Sequence, residues 1–315
     1  MRNFRYKINK LFYWIRSAFR YYICPKFITQ KSLNVILSSR DAESEYIADR
    51  VGYYNKLDSN QLSENEAVLL RDFKYEGKKS SFFFDTYEYT RYFPDTLKMA
   101  FEFGDTVVVP PHCRIVKSRP IEGQNANSVL LNLDKIRHFI FVNDTINWAD
   151  KEDRLIGRGG IYQSHRIKFY EKYFNSSLCD LGAVNKNAKD PRWVTKAISI
   201  KAHLKYKFIL CLEGNDVASN LKWVMSSNSL AVMSRPKYET WFMEGKLIPN
   251  VHYVEIKPDF SDLEERLHFY INNPEEALKI IKNAHLFTQQ FANKNREDLI
   301  SLMVLQKYFQ KTHQL

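Results

Sequence analysis

Short unbroken apolar runs, polar turns and stretches of helical spacing follow one another along this chain, most sharply over residues 206–273. Lys207-Phe208-Ile209-Leu210-Cys211-Leu212 is bounded by polar residues and predicts a strand buried on both faces, as in a parallel sheet. The turn Glu213-Gly214-Asn215-Asp216 follows, and Val217, Leu221, Val224 and Met225 then recur on one helical face. Ser226-Ser227-Asn228 ends that predicted helix, and Ser229-Leu230-Ala231-Val232-Met233 predicts the next strand. A strand, a Gly-containing turn and a helix N-terminus leave backbone N–H groups and the positive end of a helix dipole at one place, which suits a diphosphate.

Elsewhere the pattern is less dense. Phe4, Ile8, Leu11, Phe12, Ile15, Phe19, Tyr22 and Ile23 predict an amphipathic helix over residues 3–23, interrupted at Pro25. Asn34-Val35-Ile36-Leu37 reads as a strand, residues 41–54 as a helix, and 101–109 as strand, turn, strand. Val129-Leu130-Leu131 and Phe139-Ile140-Phe141-Val142 read as further strands, and the charged Asp150-Lys151-Glu152-Asp153 as a connection between domains. Gly157-Arg158-Gly159-Gly160 opens a second α/β region, with a helix over 163–173 and a strand over 251–256. Ser261 with Glu264 has the spacing of a capping box, Asn273-Pro274-Glu275-Glu276 starts a helix, and 295–312 forms the last one.

Composition narrows the class. A length of 315 residues suits two domains, and 44% hydrophobic residues supply their cores, which excludes a disordered chain. The net charge of +11 implies anionic partners, among which nucleic acid, a membrane surface, a nucleotide sugar and a phosphorylated glycolipid all qualify. Cys24, Cys113, Cys179 and Cys211 lack metal-binding spacing, as do His112, His138 and His165, and a reduced compartment is expected. Residues 1–31 carry eight basic side chains and no acid, which interrupt every apolar run and predict neither a cleavable signal nor a membrane span. They predict instead a helix lying on an anionic membrane surface, or one packed on the protein with solvated charges.

The residues Tyr206-Lys207-Phe208, then 213–222, Val251-His252-Tyr253-Val254, Asp262-Leu263 and Asn273 resemble glycosyltransferase family 90. That family holds protein O-glucosyltransferases and O-xylosyltransferases, fungal capsule-associated xylosyltransferases and bacterial LpsA-type lipopolysaccharide glycosyltransferases. The resemblance covers roughly residues 93–291. It implies an α/β, GT-B-like fold, with two Rossmann-like domains facing across a cleft. The expected division is a basic helix over 1–31, an acceptor-side domain over 32–150, a nucleotide-sugar domain over 151–294 and a helix crossing back over 295–315. It further implies an inverting enzyme moving a hexose or pentose from a UDP-sugar to a lipopolysaccharide core, at the inner face of the cytoplasmic membrane and without nucleic acid. Transfer to protein or capsule is the alternative acceptor, and a non-enzymatic basic protein binding membrane or nucleic acid is the rival class.

Inverting transfer needs a base for the acceptor hydroxyl and charge stabilisation for the departing diphosphate. The chain contains no Asp-x-Asp, so no metal site and no cofactor are expected; the UDP-sugar is a co-substrate. The resemblance places the base at Asp105 in Phe103-Gly104-Asp105-Thr106, with Asp144 second in line. It places the diphosphate against Arg158, the backbone of Gly160, and Arg166, and against Gly214, Asn215, Asp216, Val217, Ala218, Ser219 and Asn220. Asn220 stands where relatives commonly carry Arg, and Lys222 is the candidate to compensate. Glu213 either accepts from ribose or sugar hydroxyls or points away, and His252 reads as a packing residue.

Overall fold

The computed structural model describes residues 2–38, 44–59, 62, 63 and 65–315, the first eight of these as helical backbone. Helices α1 (Arg2–Tyr22), α2 (Lys26–Ser38) and α3 (Ser44–Tyr54) lead into strand β1 (Val68–Leu69), helix α4 (Ser80–Thr90) and strands β2 (Lys98–Met99), β3 (Phe101–Glu102), β4 (Arg114–Val116), β5 (Ser118–Pro120) and β6 (Ser128–Leu130). After the single turn α5 (Lys135–His138) come β7 (Glu152–Gly159), α6 (Ser164–Tyr173), β8 (Cys179–Ala183), α7 (Ile200–His203), β9 (Tyr206–Leu210), α8 (Leu221–Met225) and β10 (Leu230–Met233). Strands β11 (Tyr238–Thr240) and β12 (Val254–Glu255) precede α9 (Leu263–Asn272), α10 (Pro274–Gln289) and α11 (Lys294–Lys311).

Five parallel strands form the main sheet in the order β12-β10-β9-β7-β8. The chain enters at β7, turns one way to β8, then returns to β9 and proceeds the other way. The point where the winding reverses therefore lies between β7 and β9, and in open α/β sheets that crevice at the strands' carboxyl ends is where ligands bind. Successive residues serve opposite faces. Phe208, Leu210, Leu230 and Val232 pack under α6, α9 and α10, while Ile209, Ala231 and Met233 join a second core. That second core runs without a break through α8 into α3, α4 and α11.

The N-terminal half has a three-stranded parallel sheet, β3-β4-β6, whose crossovers are loops and β5 rather than helices. Strand β5 pairs antiparallel with β11, setting Arg119 opposite Glu239, so the two halves share a β-ribbon. Helix α11 returns onto α3 and α4, where the buried Arg50 and Glu297 pair at 2.5 Å.

Several sequence expectations need correction. Residues 34–37 lie in α2, because the three-residue apolar run Val35-Ile36-Leu37 cannot distinguish strand from helix. Within residues 150–153, Asp150, Glu152 and Asp153 are exposed, but Lys151 is buried, 2.8 Å from Asp144 and bonded to the Leu204 carbonyl, and Glu152 already begins β7. The capping box does not form, since Ser261 bonds Asp259 and Glu264 accepts from Ser176. Of 251–256 only Val254–Glu255 is strand, because His252 Nδ1 accepts from Ile248 N and holds a turn before it.

Helix α1 packs one face on α4. Tyr13 donates to Asp85 at 2.9 Å, Arg20 pairs with Glu88 at 2.6 Å, and Tyr21 stacks edge-on against Phe83 and Tyr87. The buried Arg91 donates to the carbonyls of Arg20 and Cys24, each at 2.8 Å, satisfying the end of α1 before Pro25. On the opposite side Leu11, Phe12, Ile15, Phe19 and Tyr22 stay exposed, joined by Phe27 and Ile28 of α2.

Candidate active site

A cleft of about 630 Å³ opens between the halves, walled by Val107, Pro120 and Glu122 on one side and His165, Glu213 and Tyr238 on the other. Its floor is the carboxyl end of β9 and β10, where Leu212 and Ser234 emerge. Arg166 does not line the cleft itself but stands behind its lining residues Leu212 and Glu213, whose carbonyls it holds. Its Nε donates to the Glu213 carbonyl at 2.8 Å, Nη1 to Gly160 at 2.8 Å and Nη2 to Leu212 at 2.7 Å. The guanidinium thus joins the ends of β7 and β9 across the point of winding reversal. Three of its five donors meet carbonyls, leaving one N–H on each terminal nitrogen. No carboxylate among the described residues pairs with this half-buried cation, and burial disfavours its charge. An anion here would offset that cost.

Gly160 and Gly214 lie beside this contact, Gly160 against the exposed Tyr162 ring and Gly214 at ordinary contact distance from the guanidinium. A Cβ at Gly160 would meet the Tyr162 ring at 2.6 Å, and one at Gly214 would lie 3.5 Å from Arg166 Nη2. His165, which sequence reading passed over, lines the cleft and sits 2.9 Å from the Glu213 carbonyl; burial lowers its pKa, so its imidazole is neutral at pH 7. Glu213 turns its carboxylate to the backbone N–H groups of Lys237 and Tyr238, at 2.8 and 3.2 Å. Burial raises its pKa and those N–H groups oppose the rise.

The loop over residues 213–220 differs from the predicted helix start. Helix α8 begins only at Leu221 and has five residues, so it presents no long dipole to the cleft. Asn220 is responsible in part: its amide donates to the Leu210 carbonyl at 2.9 Å and holds the loop back on its own strand. Val217 and Ala218 are buried in the core, whereas Asn215 and Ser219 are exposed. Asn215 accepts from Gln163 at 3.0 Å and donates to Asp105 at 3.3 Å.

Asp105 does not line the cleft itself. It stands beside it behind Asn215, two residues before the lining Val107. Lys117, on the turn between β4 and β5, lies 2.5 Å from its Oδ1, and Arg137 3.5 Å from the same oxygen. Burial works against ionisation of Asp105, but the Lys117 hydrogen bond and charge, the Arg137 charge and the Asn215 amide outweigh it and hold the carboxyl below its ordinary range. Lys117 and Arg137 carry no motif, and only the fold brings them to Asp105.

Three expected site residues lie elsewhere. Arg158 is turned to Asp180, 2.5 Å away, and to the Asp180 carbonyl, because alternation along β7 sends it away from Arg166. Lys222 is fully buried and pairs with Glu244 at 2.6 Å; a cation on the core face of α8 needs that carboxylate and cannot reach the cleft. Asp144 is buried against Lys151 and accepts from the backbone N–H of Asn228 at 3.0 Å, which makes it a structural carboxylate. Among the described residues no three His, Cys, Asp or Glu side chains gather as a metal-ligand set.

The comparisons with known proteins point to one transferase family. A family model described as Glycosyl transferase family 90 matches residues 142–312, which contain the five-stranded sheet, Arg166 and the 213–220 loop. The chain is 38% identical to O-glucosyltransferase LpsA of Dichelobacter nodosus over 96% of its own length and 95% of that protein. It is 28% identical to Protein O-glucosyltransferase 3 of Homo sapiens and 30% identical to Protein O-glucosyltransferase 2 of Danio rerio. Those matches cover 52% and 53% of this chain and 33% and 34% of the two relatives. The chain is a glycosyltransferase and belongs to glycosyl transferase family 90.

Proposed function

We propose that this protein is an inverting, metal-independent enzyme that moves a sugar from a UDP-sugar to a lipopolysaccharide core or related glycan, in a GT-B-like cleft between two units. The observation that carries the reading is Arg166, a cation without a carboxylate partner among the described residues, at the carboxyl ends of β7 and β9. Glucose is the favoured sugar, because the relative that aligns end to end is named an O-glucosyltransferase.

Asp105 takes the proton of the acceptor hydroxyl, and that oxygen attacks the anomeric carbon. The bond from that carbon to the phosphate oxygen breaks on the opposite face, and its electron pair leaves with UDP. The Arg166 N–H groups and the 213–220 loop meet the charge that develops on the diphosphate. One displacement at one carbon gives inversion.

Docking on an anionic membrane belongs to the same reading. The exposed apolar side chains of α1 and α2, interleaved with Lys10, Arg16 and Lys31, suit a helix pair lying at a cytoplasmic membrane surface beside a lipid-linked acceptor. Among the described residues no helix is long and apolar enough to cross a membrane.

The test is a panel of UDP-, GDP- and dTDP-sugars scored for thermal shift and hydrolysis, with and without EDTA. UDP and UDP-glucose are expected to stabilise the protein, and hydrolysis to survive EDTA. Loss with EDTA and recovery with Mn²⁺ would overturn metal independence, and no stabilisation by any UDP compound would overturn the donor.

A further inference from the structure

One buried ammonium group joins the two sides of this site. The Lys117 side chain is 1% exposed, and its Nζ lies 2.5 Å from Asp105 Oδ1 and 2.7 Å from Asp216 Oδ2. The first carboxylate belongs to the loop after β3, and the second to the donor-side loop between β9 and α8. Lys117 donates a hydrogen bond to Asp105 and meets Asp216 as an ion pair; the buried Asp216 Oδ2 accepts no hydrogen bond among the described residues, so the ammonium is the charge that offsets its burial. The adjacent Ser118 fastens the same β3 loop by its backbone. Its hydroxyl accepts from Thr106 N and donates to Thr106 O, both at 3.1 Å. Residues 117 and 118 therefore hold the side chain of Asp105 and the chain that carries it.

We propose that Lys117 is a positioning residue of the transfer reaction, its ammonium aiming the Asp105 carboxylate by joining it to Asp216 of the donor-side loop. This rests on the reading of Asp105 as the base and adds what orients it. A lysine suits the task because its compact charge with three donors serves two carboxylates at once. The trio carries one net negative charge. Removing the ammonium leaves two carboxylates that had shared one nitrogen, at 2.5 and 2.7 Å, without their common cation, and each then disfavours ionisation of the other. The other charged groups nearby do not replace it. Arg137 is half-exposed and already pairs with Asp134 at 2.9 Å; His138, beside Asp134, is kept neutral by burial and by the charges of Lys222 and Lys117.

Carbon-13 NMR titration of the aspartate carboxyls tests this on the full chain, with Asp105→Asn identifying the Asp105 signal. In Lys117→Met that signal is expected to titrate about one pH unit or more higher than in the wild type. Adding Asp216→Asn to that variant is expected to bring it back down, and Lys117→Arg to stay near the wild type. Turnover of the nucleotide sugar that the wild type hydrolyses is expected to fall about tenfold or more in Lys117→Met, with KM changed far less. Should Lys117→Met fail to fold, Asp216→Asn alone decides. It leaves the ammonium to Asp105, so the titration moves further down. An unmoved Asp105 titration in the folded variant, or wild-type turnover in Lys117→Met, overturns the proposal. Normal turnover in Asp105→Asn would instead overturn the choice of base while the titration shift stood.

Discussion

The side-chain amide of Asn215 donates to Asp105 Oδ2 at 3.3 Å across 110 residues of sequence. Its oxygen meanwhile accepts from Gln163, which immediately precedes the helix carrying Arg166. A single amide thus relates the residue assigned to the acceptor proton to the one assigned to the diphosphate. Loss of either partner is read through different observables.

Asp105→Asn is expected to lower turnover by roughly 10²–10⁴-fold, the usual contribution of a general base, while UDP affinity stays nearly unchanged. In the wild type the acid limb of kcat/KM should fall below about pH 3.9, the ordinary aspartate value, because Lys117 and Arg137 stabilise the ionised form. The base is protonated below its folded pKa, so the rate climbs with pH through that value and is level above it. The carboxylate's contribution to stability has the same sign and is lost as pH falls through the same point. Asp144→Asn should lower the melting temperature and leave kcat of the folded enzyme near normal. The reverse pattern would exchange the two roles.

Arg166→Ala is expected to weaken UDP binding by about 1.5–3 kcal/mol, the range for hydrogen bonds to charged groups. Calorimetry below the melting temperature reads it. Arg166→Lys keeps the charge but not the planar fork that meets three carbonyls, and should recover only part of the affinity. A UDP dissociation constant unchanged in both variants would make Arg166 a strand tether alone.

Lys222→Met should cost about 3–5 kcal/mol of stability in urea, because Glu244 would be left charged and unpaired in the core. Glu244 also accepts from Thr240 N at 2.6 Å beside the inter-half ribbon, so the damage should be structural. UDP affinity of the folded fraction is expected to stay within twofold. A large selective loss of UDP affinity would return Lys222 to the donor site.

Replacing Leu11, Phe12 and Phe19 together by Ser should abolish co-sedimentation with phosphatidylglycerol-containing vesicles without unfolding the protein, since all three side chains are more than half exposed. Wild-type binding should weaken with salt, each basic residue near the surface contributing about 1 kcal/mol. Equal sedimentation of variant and wild type would remove α1 as the contact.

The legible parts were those whose pattern was long or doubly signalled. Strands β9 and β10 and helices α6, α10 and α11 fall where apolar spacing and end signals put them. The loop before α8 was not legible, because Val217 has helical spacing with Leu221 yet is drawn into the core while Asn220 bonds its own strand. Arg158 and Arg166 could not be separated from sequence, since Arg158 is claimed by Asp180 of the neighbouring strand and Arg166, on α6, by the carbonyls of Gly160, Leu212 and Glu213, contacts that only the fold makes. Lys117 gave no signal, because its two partners lie 12 and 99 residues away and nothing local marks a buried lysine.

The ribbon between β5 and β11 limits how this enzyme can breathe. Opening the halves like a jaw would break the pairing of residues 118–120 with 238–240 and strip the buried Arg119 of Glu239, 2.8 Å away. Parting such an ion pair costs about 3–5 kcal/mol. The ribbon therefore ties the two halves together at that edge of the slot. On the proposed reading, a donor sugar is then selected by fit to a standing mould rather than by closure of the halves around it.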